Sequence, residues 1–313
     1  FYMLNNNYIK TIISLLKRKE KMKKTIITLT LLASFASQAA FVSFISDSKY
    51  NIASNDPSSE TGQIVGGGEY VASEPSTGGG SEPVAPSCEG PELTKRQLQD
   101  LVMSGGDYSK ACVGTITDFS LVFMNRNVNY DITNWDVSSG EDFSGMFEGS
   151  SFNQDISGWN VSNGTDFYGM FNNAQNFNQD ISGWNVSNGQ NFGSMFMYAR
   201  AFNQDISGWN VSNGTNFSSM FSATRDFNQN IGGWNVSNGR NFSYMFDNAK
   251  AFNQDISSWN VSNGNNFNRM FRSANVFNQD ISGWDVTAAT SWYDFNQNYP
   301  VVLVSENIPA KFR

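Results

Sequence analysis

Residues 202–221 read FNQDISGWNVSNGTNFSSMF, and this stretch decides the fold because close copies of it recur along the chain. The tryptophan recurs with a spacing of 24 residues once and 25 residues thereafter, at Trp135, Trp159, Trp184, Trp209, Trp234, Trp259 and Trp284. A period of roughly 20–50 residues is typical of solenoids and related arrays, in which each unit buries its apolar face against its neighbours.

Two apolar patterns follow each other within one repeat. Phe167, Met170, Phe171 and Ala174 are spaced three and four residues apart, which predicts a short amphipathic helix. Residues 181–186 place Ile, Trp and Val at the inward positions of the leucine-rich-repeat strand signature. We therefore predict a leucine-rich-repeat-like solenoid of about seven coils, with one short strand and one short helix per 25-residue coil and a cap at each end.

The two ends of the array differ from its middle in ways that predict the caps. Thr94 and Gln97 have capping-box spacing at the start of an amphipathic helical pattern. At the other end, the repeat consensus degrades after Val286. We assign residues 92–114 to an N-terminal cap, residues 115–287 to the repeat solenoid and residues 288–313 to a C-terminal cap.

The N-terminal part of the sequence predicts export. Residues 22–39 combine a basic start, an apolar stretch and a small-residue cleavage site, as secretory signal peptides do. Residues 1–21 would then precede the signal or be untranslated. Residues 40–91 are acidic and rich in Gly, Ser and Pro, which predicts a disordered linker. We expect an exported protein that is extracellular or displayed on the cell surface, with the periplasm as an alternative.

The chain contains two cysteines, Cys88 and Cys112, and no histidine. In the oxidising compartment that export implies, the two cysteines are expected to form a disulfide, with two free thiols as the alternative. Nucleophilic and histidine-based catalysis are then unsupported. We expect a protein that is not an enzyme and that needs no cofactor.

The charge balance narrows the classes of partner. The formal net charge is −8, and because the first residues are basic, the remainder is more acidic still. An acidic chain repels phosphate backbones and anionic lipid surfaces. No apolar run reaches the roughly 20 residues that a transmembrane helix needs. We therefore expect no nucleic-acid partner and no membrane span, and an extracellular protein or glycan as the partner.

The repeat resembles that of a known family. Residues 202–213, followed by the Met220 and Phe221 pair, look like the leucine-rich-like repeat of BspA-like bacterial surface proteins, which is also frequent in mycoplasma lipoproteins. The resemblance covers residues 92–313. It implies a leucine-rich-repeat-like fold and surface exposure, with adhesion as the role of some members. The chain has Gly where the family usually has Val after Ser-Asn, so the resemblance transfers no specific ligand.

A column of acidic residues, one per coil, is the first candidate for chemistry. It comprises Asp131, Asp155, Asp180, Asp205, Asp255 and Asp280, with Asn230 interrupting it. Its regularity favours side chains that accept backbone N–H hydrogen bonds at a corner. Calcium that bridges neighbouring carboxylates is one alternative, and a glycosidase-type acid pair is another. The repeated tryptophans occupy inward positions, which favours burial over a carbohydrate-stacking strip.

The segment predicted to be helical carries a second candidate, because its outward residues differ from coil to coil. We predict a binding strip there that comprises Arg200, Arg225, Lys250, Arg240, Arg269, Arg272, Tyr168, Tyr198 and Tyr244. Arg and Tyr are favoured interface residues, and the strip would dock an anionic partner. The alternative is a solvated face whose bases pair with the acidic column. The nearly invariant Asn and Ser positions suit either self-bonded ladders or a periodic ligand.

These observations predict a secreted or cell-surface repeat protein that mediates binding or adhesion. Two alternatives remain from the sequence. One is a solenoid that binds or modifies a polysaccharide, and the other is a structural component of the cell envelope.

Overall fold

The computed structural model describes residues 88–297 and 303–313. These residues belong to one compact unit, Thr77–Arg313. The predicted pre-signal segment 1–21, the signal peptide 22–39 and most of the linker 40–91 lie outside the described residues. Those assignments therefore stay predictions.

Regular secondary structure is sparse in the described part of the chain. It comprises one α-helix, α1 (Lys95–Ser104), and two 3-10 helices, η1 (Ser305–Asn307) and η2 (Ala310–Phe312). None of the described helices is both long and apolar enough to span a bilayer. Isolated parallel bridges join Glu92 to Cys112 and then connect, one repeat to the next, Asp118, Asp142, Asp166, Asn191, Asn216, Asn241, Asn266 and Ser291.

Helix α1 begins at the capping box that the sequence predicts. The Gln97 backbone N–H donates to the Thr94 hydroxyl at 3.3 Å, and the Thr94 backbone N–H donates to the Gln97 side chain at 2.9 Å. Gly105 ends the helix in the left-handed conformation, with φ of 74°. Leu98 and Val102 are buried, so the helix packs its apolar face against the array.

The predicted disulfide between Cys88 and Cys112 is confirmed. It joins the segment ahead of α1 to the segment that leads into the first repeat. Backbone hydrogen bonds flank it, from Glu89 N–H to the Lys110 carbonyl at 3.0 Å and from Leu93 N–H to the Cys112 carbonyl at 2.8 Å. Covalent and hydrogen-bonded links therefore hold the start of the ordered region against the first repeat.

Phenylalanine rings from successive repeats stack into columns that form the core. The column that contains Phe192 has ring-centroid spacings of 5.4–5.7 Å, and the column that contains Phe196 has spacings of 5.5–5.8 Å. A third column, which contains Phe202, packs against the second at about 4 Å, as Phe196 and Phe202 do at 3.9 Å. These rings are buried, and each contributes about 1.5–3 kcal/mol of apolar burial.

The repeated tryptophans are buried, as the sequence predicts, with exposed fractions of 3–5%. Each indole N–H donates to a carbonyl of the preceding coil. Trp184 Nε1 donates to the Ile156 carbonyl at 3.0 Å, and Trp209 Nε1 donates to the Ile181 carbonyl at 3.0 Å. The tryptophan thus fills the core and fixes the register between neighbouring coils. Burial at this level removes the carbohydrate-stacking strip from consideration.

The segment predicted to be helical consists of consecutive tight turns instead. Met170 N–H donates to the Phe167 carbonyl at 3.2 Å, and Ala174 N–H donates to the Phe171 carbonyl at 3.0 Å. Gly169, the third residue of the first turn, has φ of 60°. A positive φ at this position is what type II turns require. We name residues 167–174, and the equivalent residues of the other repeats, the tandem-turn segment.

Every second backbone N–H of the tandem-turn segment donates to the next repeat. Phe167, Gly169, Phe171 and Asn173 donate to the carbonyls of Asn191, Gly193, Met195 and Met197 at 2.7–2.9 Å. An α-helix would direct these groups to its own preceding turn. The prediction of a helix in each coil was wrong because apolar residues three and four positions apart suit consecutive four-residue turns as well as a helix.

The predicted strand at residues 181–186 also differs from the structure. Trp184 N–H donates to the Ile181 carbonyl at 3.1 Å, and Gly189 N–H donates to the Val186 carbonyl at 2.8 Å, so this stretch also forms turns. The parallel bridges lie at Asp166 and Asn191, ahead of the tandem turns. The inward positions of Ile, Trp and Val were predicted correctly, but the backbone between them turns rather than extends. The leucine-rich-repeat-like solenoid itself stays a prediction.

The C-terminal residues close the last coil. The Lys311 ammonium donates to the carbonyls of Val286, Thr287 and Ala289 at 3.3, 2.9 and 2.7 Å. In the middle of the array the equivalent carbonyl, that of Ser187, accepts a hydrogen bond from the Asn213 side chain of the next coil. The Phe312 ring stacks on Trp292 at 5.4 Å and covers the end of the aromatic core. At the Thr287 carbonyl the lysine therefore replaces a donor that a further repeat would supply.

Glycine and serine at one position of the tandem turns provide a test of the backbone geometry. Gly169 has φ of 60°, and an added Cβ would meet only the Asn172 Cβ at 3.6 Å. We expect Gly169→Ala to lower the free energy of unfolding by about 1 kcal/mol, because a side chain is strained at positive φ. Ser219 occupies the same position in another repeat with φ of 57°. Ser219→Gly should therefore raise that free energy by about 0.5–1 kcal/mol.

Urea denaturation of each variant measures these changes. Gly158→Ala is the matched control, since that glycine has no left-handed φ and an added Cβ meets nothing within 4 Å. We expect it to leave stability unchanged or raise it slightly. A loss for Gly158→Ala equal to that for Gly169→Ala would contradict the assigned turn conformation.

Reduction of the disulfide tests how the first repeat is held. Cys88 and Cys112 close a loop with a sequence separation of 24. We expect reduction to lower the free energy of unfolding by about 2–4 kcal/mol, because the unfolded chain regains the entropy of the open loop. Hydrogen exchange under reductant should quicken first in α1 and the first repeat. Unchanged exchange there would show that the noncovalent contacts hold this end without the disulfide.

Candidate binding surface

The outer side chains of the tandem-turn segment are the most varied surface of the described array. At the position of Tyr168 the other repeats have Ser, Gly, Asn or Tyr, and at the position of Tyr198 they have Asn, Gly, Ala or Ser. Of the large apolar side chains exposed in the described residues, five lie here, namely Leu121, Met124, Tyr168, Tyr198 and Tyr293. We name this surface the tandem-turn face.

The predicted column of Arg200, Arg225 and Lys250 is exposed and lies at the end of the tandem-turn segments. Backbone hydrogen bonds fix its register, since Asp226 N–H donates to the Arg200 carbonyl at 3.3 Å. Lys250 Nζ donates to the Ser273 carbonyl at 3.1 Å. The structure therefore places the three cations at equivalent positions of successive coils, in one row, and their role in binding stays a prediction.

Arg269 and Arg272 differ from this row because each has an aspartate partner one coil away. Arg272 forms two hydrogen bonds with the buried Asp247, at 2.9 and 2.6 Å. Arg269 Nε donates to Asp294 at 3.2 Å. The proposed alternative, in which the bases pair with the acidic column, is wrong for these two arginines, because their partners lie in the tandem-turn segments themselves.

Tyr244 belongs to the same cluster. Its hydroxyl accepts a hydrogen bond from Arg269 Nη1 at 3.2 Å, and the Arg269 guanidinium lies 5.6 Å from the Tyr244 ring centroid and 5.3 Å from that of Tyr293. Sequence reasoning missed Tyr293, Asp247 and Asp294. A signal for the two acids was present, since each lies 25 residues from its arginine, which is one repeat.

Arg240 lies elsewhere in the coil, at the start of its tandem-turn segment. Its backbone N–H donates to the Thr215 carbonyl at 2.9 Å, and its carbonyl accepts from Asn265 N–H at 2.9 Å. Its side chain is exposed. The tandem-turn segment 242–249 lies between Arg240 and Lys250, the member of the row in the same coil. The structure therefore separates Arg240 from that row.

The acidic column lies on a different part of the coil, and its members are exposed. Each carboxylate accepts a hydrogen bond from the backbone N–H two residues further on, as Asp180 does from Ser182 and Asp205 from Ser207, both at 2.9 Å. The same contact serves Asn230, which accepts from Gly232 at 3.0 Å. This arrangement is the corner hydrogen bond that the sequence favours.

These hydrogen bonds lower the pKa of every aspartate in the column. For Asp180, Asp205, Asp255 and Asp280 the serine hydroxyl and then its backbone N–H hold the pKa below the ordinary value of 3.8. For Asp131 and Asp155 the backbone N–H contributes most. Asp155 and Asp205 act in the opposite direction on the pKa of Asp180, because neighbouring carboxylates repel.

Calcium binding by this column stays a prediction. Among the described residues, one group of three potential ligands brings its atoms within 4.8 Å of one another, and it comprises Cys88, Glu92 and Cys112. The two sulfurs of that group form the disulfide. A cation on the acidic column would therefore take most of its ligands from water.

The invariant polar positions bond to each other and to the backbone. Asn185 Oδ1 accepts from Ser187 N–H at 3.1 Å, and Asn188 Nδ2 donates to the Ser162 carbonyl of the preceding coil at 2.8 Å. Equivalent contacts repeat along the array, for example from Asn213 Nδ2 to the Ser187 carbonyl at 2.7 Å. These ladders join the coils on the faces that do not vary.

Comparison with known families matches the repeats. The model of a family described as "Mycoplasma protein of unknown function, DUF285" matches residues 117–226 and 201–301, which together make up more than half of the chain. The chain belongs to this family. The DUF285 matches begin at the first tandem-turn segment and extend through the last coil, so the family signal comes from the repeated unit. No curated protein and no solved structure matches the chain.

Acid titration tests the hydrogen bonds of the column. A carboxylate whose pKa is lower in the folded than in the unfolded chain stabilises the fold above the unfolded value of 3.8, and this contribution is lost as pH falls through the lower folded value. We expect the melting temperature to fall as the pH drops below 3.8. Replacing the six aspartates of the column by Asn should weaken this dependence, because Asn230 shows that the amide accepts the same hydrogen bond.

The measurement is a series of thermal melts from neutral to acidic pH for both proteins. The Glu141→Gln variant serves as the control for loss of a carboxylate outside the column. An equally steep acid dependence in the six-site variant would show that other groups control acid stability.

Proposed function

We propose that this protein is a non-catalytic binding module of the BspA-like type, exported and displayed outside the cell, with a leucine-rich-repeat-like solenoid. The resemblance of the repeat to that of BspA-like surface proteins supports the BspA-like assignment. The signal-peptide pattern at residues 22–39 and the disulfide, which is typical of oxidising compartments, support export.

One observation carries the binding function: the exposed residues that differ between repeats lie in the tandem-turn segments or directly beside them, as the positions of Arg200 and Arg240 do. The other polar positions repeat with little change, and their side chains are engaged in hydrogen bonds within and between coils. The tandem-turn face instead presents exposed Tyr, Met and Leu side chains and the cationic row. Tyr, Met and Arg are enriched at protein interfaces, and a surface that differs from coil to coil suits recognition of a partner.

The acidic column does not favour catalysis. Glycoside hydrolysis requires one carboxylic acid that stays protonated, which means a raised pKa. The pKa of each aspartate in the column is lowered instead. The chain has no histidine, and its two cysteines form the disulfide. A binding role therefore accounts for the residues better than an enzyme does.

A purely structural envelope role is less well supported. End-to-end growth needs open donors and acceptors at the last coil. Lys311 occupies carbonyls at that end, and Phe312 covers the aromatic core there. These contacts oppose stacking of a second copy on the C-terminal end.

The binding function is tested with arrays of host-matrix proteins, glycans and envelope components probed with the purified protein. We expect the triple variant Arg200→Glu, Arg225→Glu and Lys250→Glu to fold normally and to lose the partner that the unmodified protein selects. The double variant Asn185→Ala and Asn210→Ala, on an invariant face, is the control and should keep binding. Loss of binding in the double variant alone would place the site on the invariant face and refute the proposal.

A further inference from the structure

Three cations in successive coils form a straight row. Arg200, Arg225 and Lys250 each precede by two residues a buried ring of the third phenylalanine column. The rings of Phe202, Phe227 and Phe252 are separated by 6.0 and 6.1 Å. The backbones that carry the cations therefore advance by about the same step, and the row follows the direction in which the coils stack.

The charges in this row are not compensated within the described protein. The described residues contain five ion pairs with N···O distances up to 4.0 Å, and none includes a member of the row. Like charges at equivalent positions of adjacent coils repel each other. Arg269 and Arg272 each form an ion pair with an aspartate one coil away. The three cations of the row form no such ion pair within the described residues.

The surroundings of the row are open. Gln175 and Asn275 occupy the same position in the coils on either side and carry no charge. The flanking residues Ala201 and Ala251 are small, and the equivalent residue Asp226 places an exposed acid after Arg225. Tyr198 lies two residues before Arg200, and 41% of its surface is exposed. The row is thus a narrow line of three cations, and the exposed ring of Tyr198 belongs to the coil at one end of it.

We infer that the row of Arg200, Arg225 and Lys250 binds a linear anionic polysaccharide that has a carboxylate or sulfate on each sugar. The inference rests on the proposed binding function and names the chemistry of the partner. A linear polymer that lies along the stacking direction would bring its anions, one per sugar, within reach of the exposed Arg and Lys side chains of successive coils. The exposed ring of Tyr198 supplies an apolar surface on which a sugar face can pack.

Other anionic partners fit less well. A double-stranded nucleic acid presents its phosphates over a surface much wider than a single row of cations, so most of its charge would face the acidic remainder of this protein. A folded acidic protein spreads its charges over two dimensions, whereas Arg200, Arg225 and Lys250 form a single row. These alternatives become separate arms of the test.

The full chain is titrated with polygalacturonate, which has one carboxylate per sugar, with hyaluronate, which has one per two sugars, and with neutral dextran. We expect polygalacturonate to bind, hyaluronate to bind more weakly and dextran not to bind. The logarithm of the affinity should fall with the logarithm of salt concentration with a slope of about −2 to −3, because three cations displace condensed counterions. Equal binding of hyaluronate and polygalacturonate would overturn the spacing argument.

Single substitutions separate the row from the general charge of the protein. Arg225→Glu should weaken polygalacturonate binding by roughly tenfold or more. Arg96→Glu makes the same change in net charge at an exposed position of helix α1, outside the row and the predicted binding strip, and we expect it to have little effect. Equal losses in the two variants would overturn the inference.

Gain of affinity gives a test that misfolding cannot imitate. Gln175→Lys extends the row to four coils, so we expect tighter binding and a salt slope that steepens by about 1. Asp226→Asn removes the acid that follows Arg225 in the chain and should also tighten binding. No gain from either variant would contradict binding along the row.

The outcomes for the two proposals can be told apart. If the row variants lose the partner found on the arrays but polygalacturonate does not bind, the polysaccharide inference fails and the binding function stands. If poly-glutamate or single-stranded oligothymidylate binds more tightly than polygalacturonate with the same dependence on Arg225, the partner is a protein or a nucleic acid and the inference fails.

Discussion

The hydrogen bonds between tandem-turn segments are the constraint on which the rest of this protein depends. Phe167 and Gly169 direct their N–H groups to carbonyls of the following repeat, while the intervening groups close turns inside their own repeat. A single repeat would leave half of these donors without a protein partner. The fold therefore exists only as a stack, and its two ends need separate solutions, which α1 with the disulfide and the C-terminal residues provide.

The same constraint explains the backbone strain in the repeats. Turning the chain back to the next coil requires positive φ at two positions of each tandem-turn segment, and the sequence often supplies residues other than glycine there, such as Ser194 and Tyr198. Each such residue costs about 1 kcal/mol or more. The stacked phenylalanine columns and the tryptophan hydrogen bonds offset this cost. As a result, these positions present side chains larger than that of glycine on the tandem-turn face.

Much of this arrangement could be predicted from the sequence because each inward position repeats. The buried tryptophans, the capping box at Thr94, the disulfide and the corner hydrogen bonds of the acidic column all follow from residue type and spacing. The local backbone conformation did not, because the period of Phe167, Met170 and Phe171 fits two geometries and only the destination of the N–H groups separates them. The ion pairs of Arg269 and Arg272 were missed because their partners, Asp247 and Asp294, occupy positions at which most other repeats have no acid, whereas the sequence analysis considered the acidic column as the partner.

The contacts between coils also bear on how such an array changes in evolution. Each coil offers the same indole and asparagine donors toward the preceding coil and the same carbonyls toward the following one. An in-frame duplication or loss of one whole unit therefore preserves the indole and asparagine hydrogen bonds of the junctions, and only the ion pairs of Arg269 and Arg272 depend on which coil is the neighbour. The reach of the molecule can vary by steps of one coil while both ends stay as they are. The varied outer residues travel with each unit, so recombination reshuffles the exposed surface without rebuilding the core.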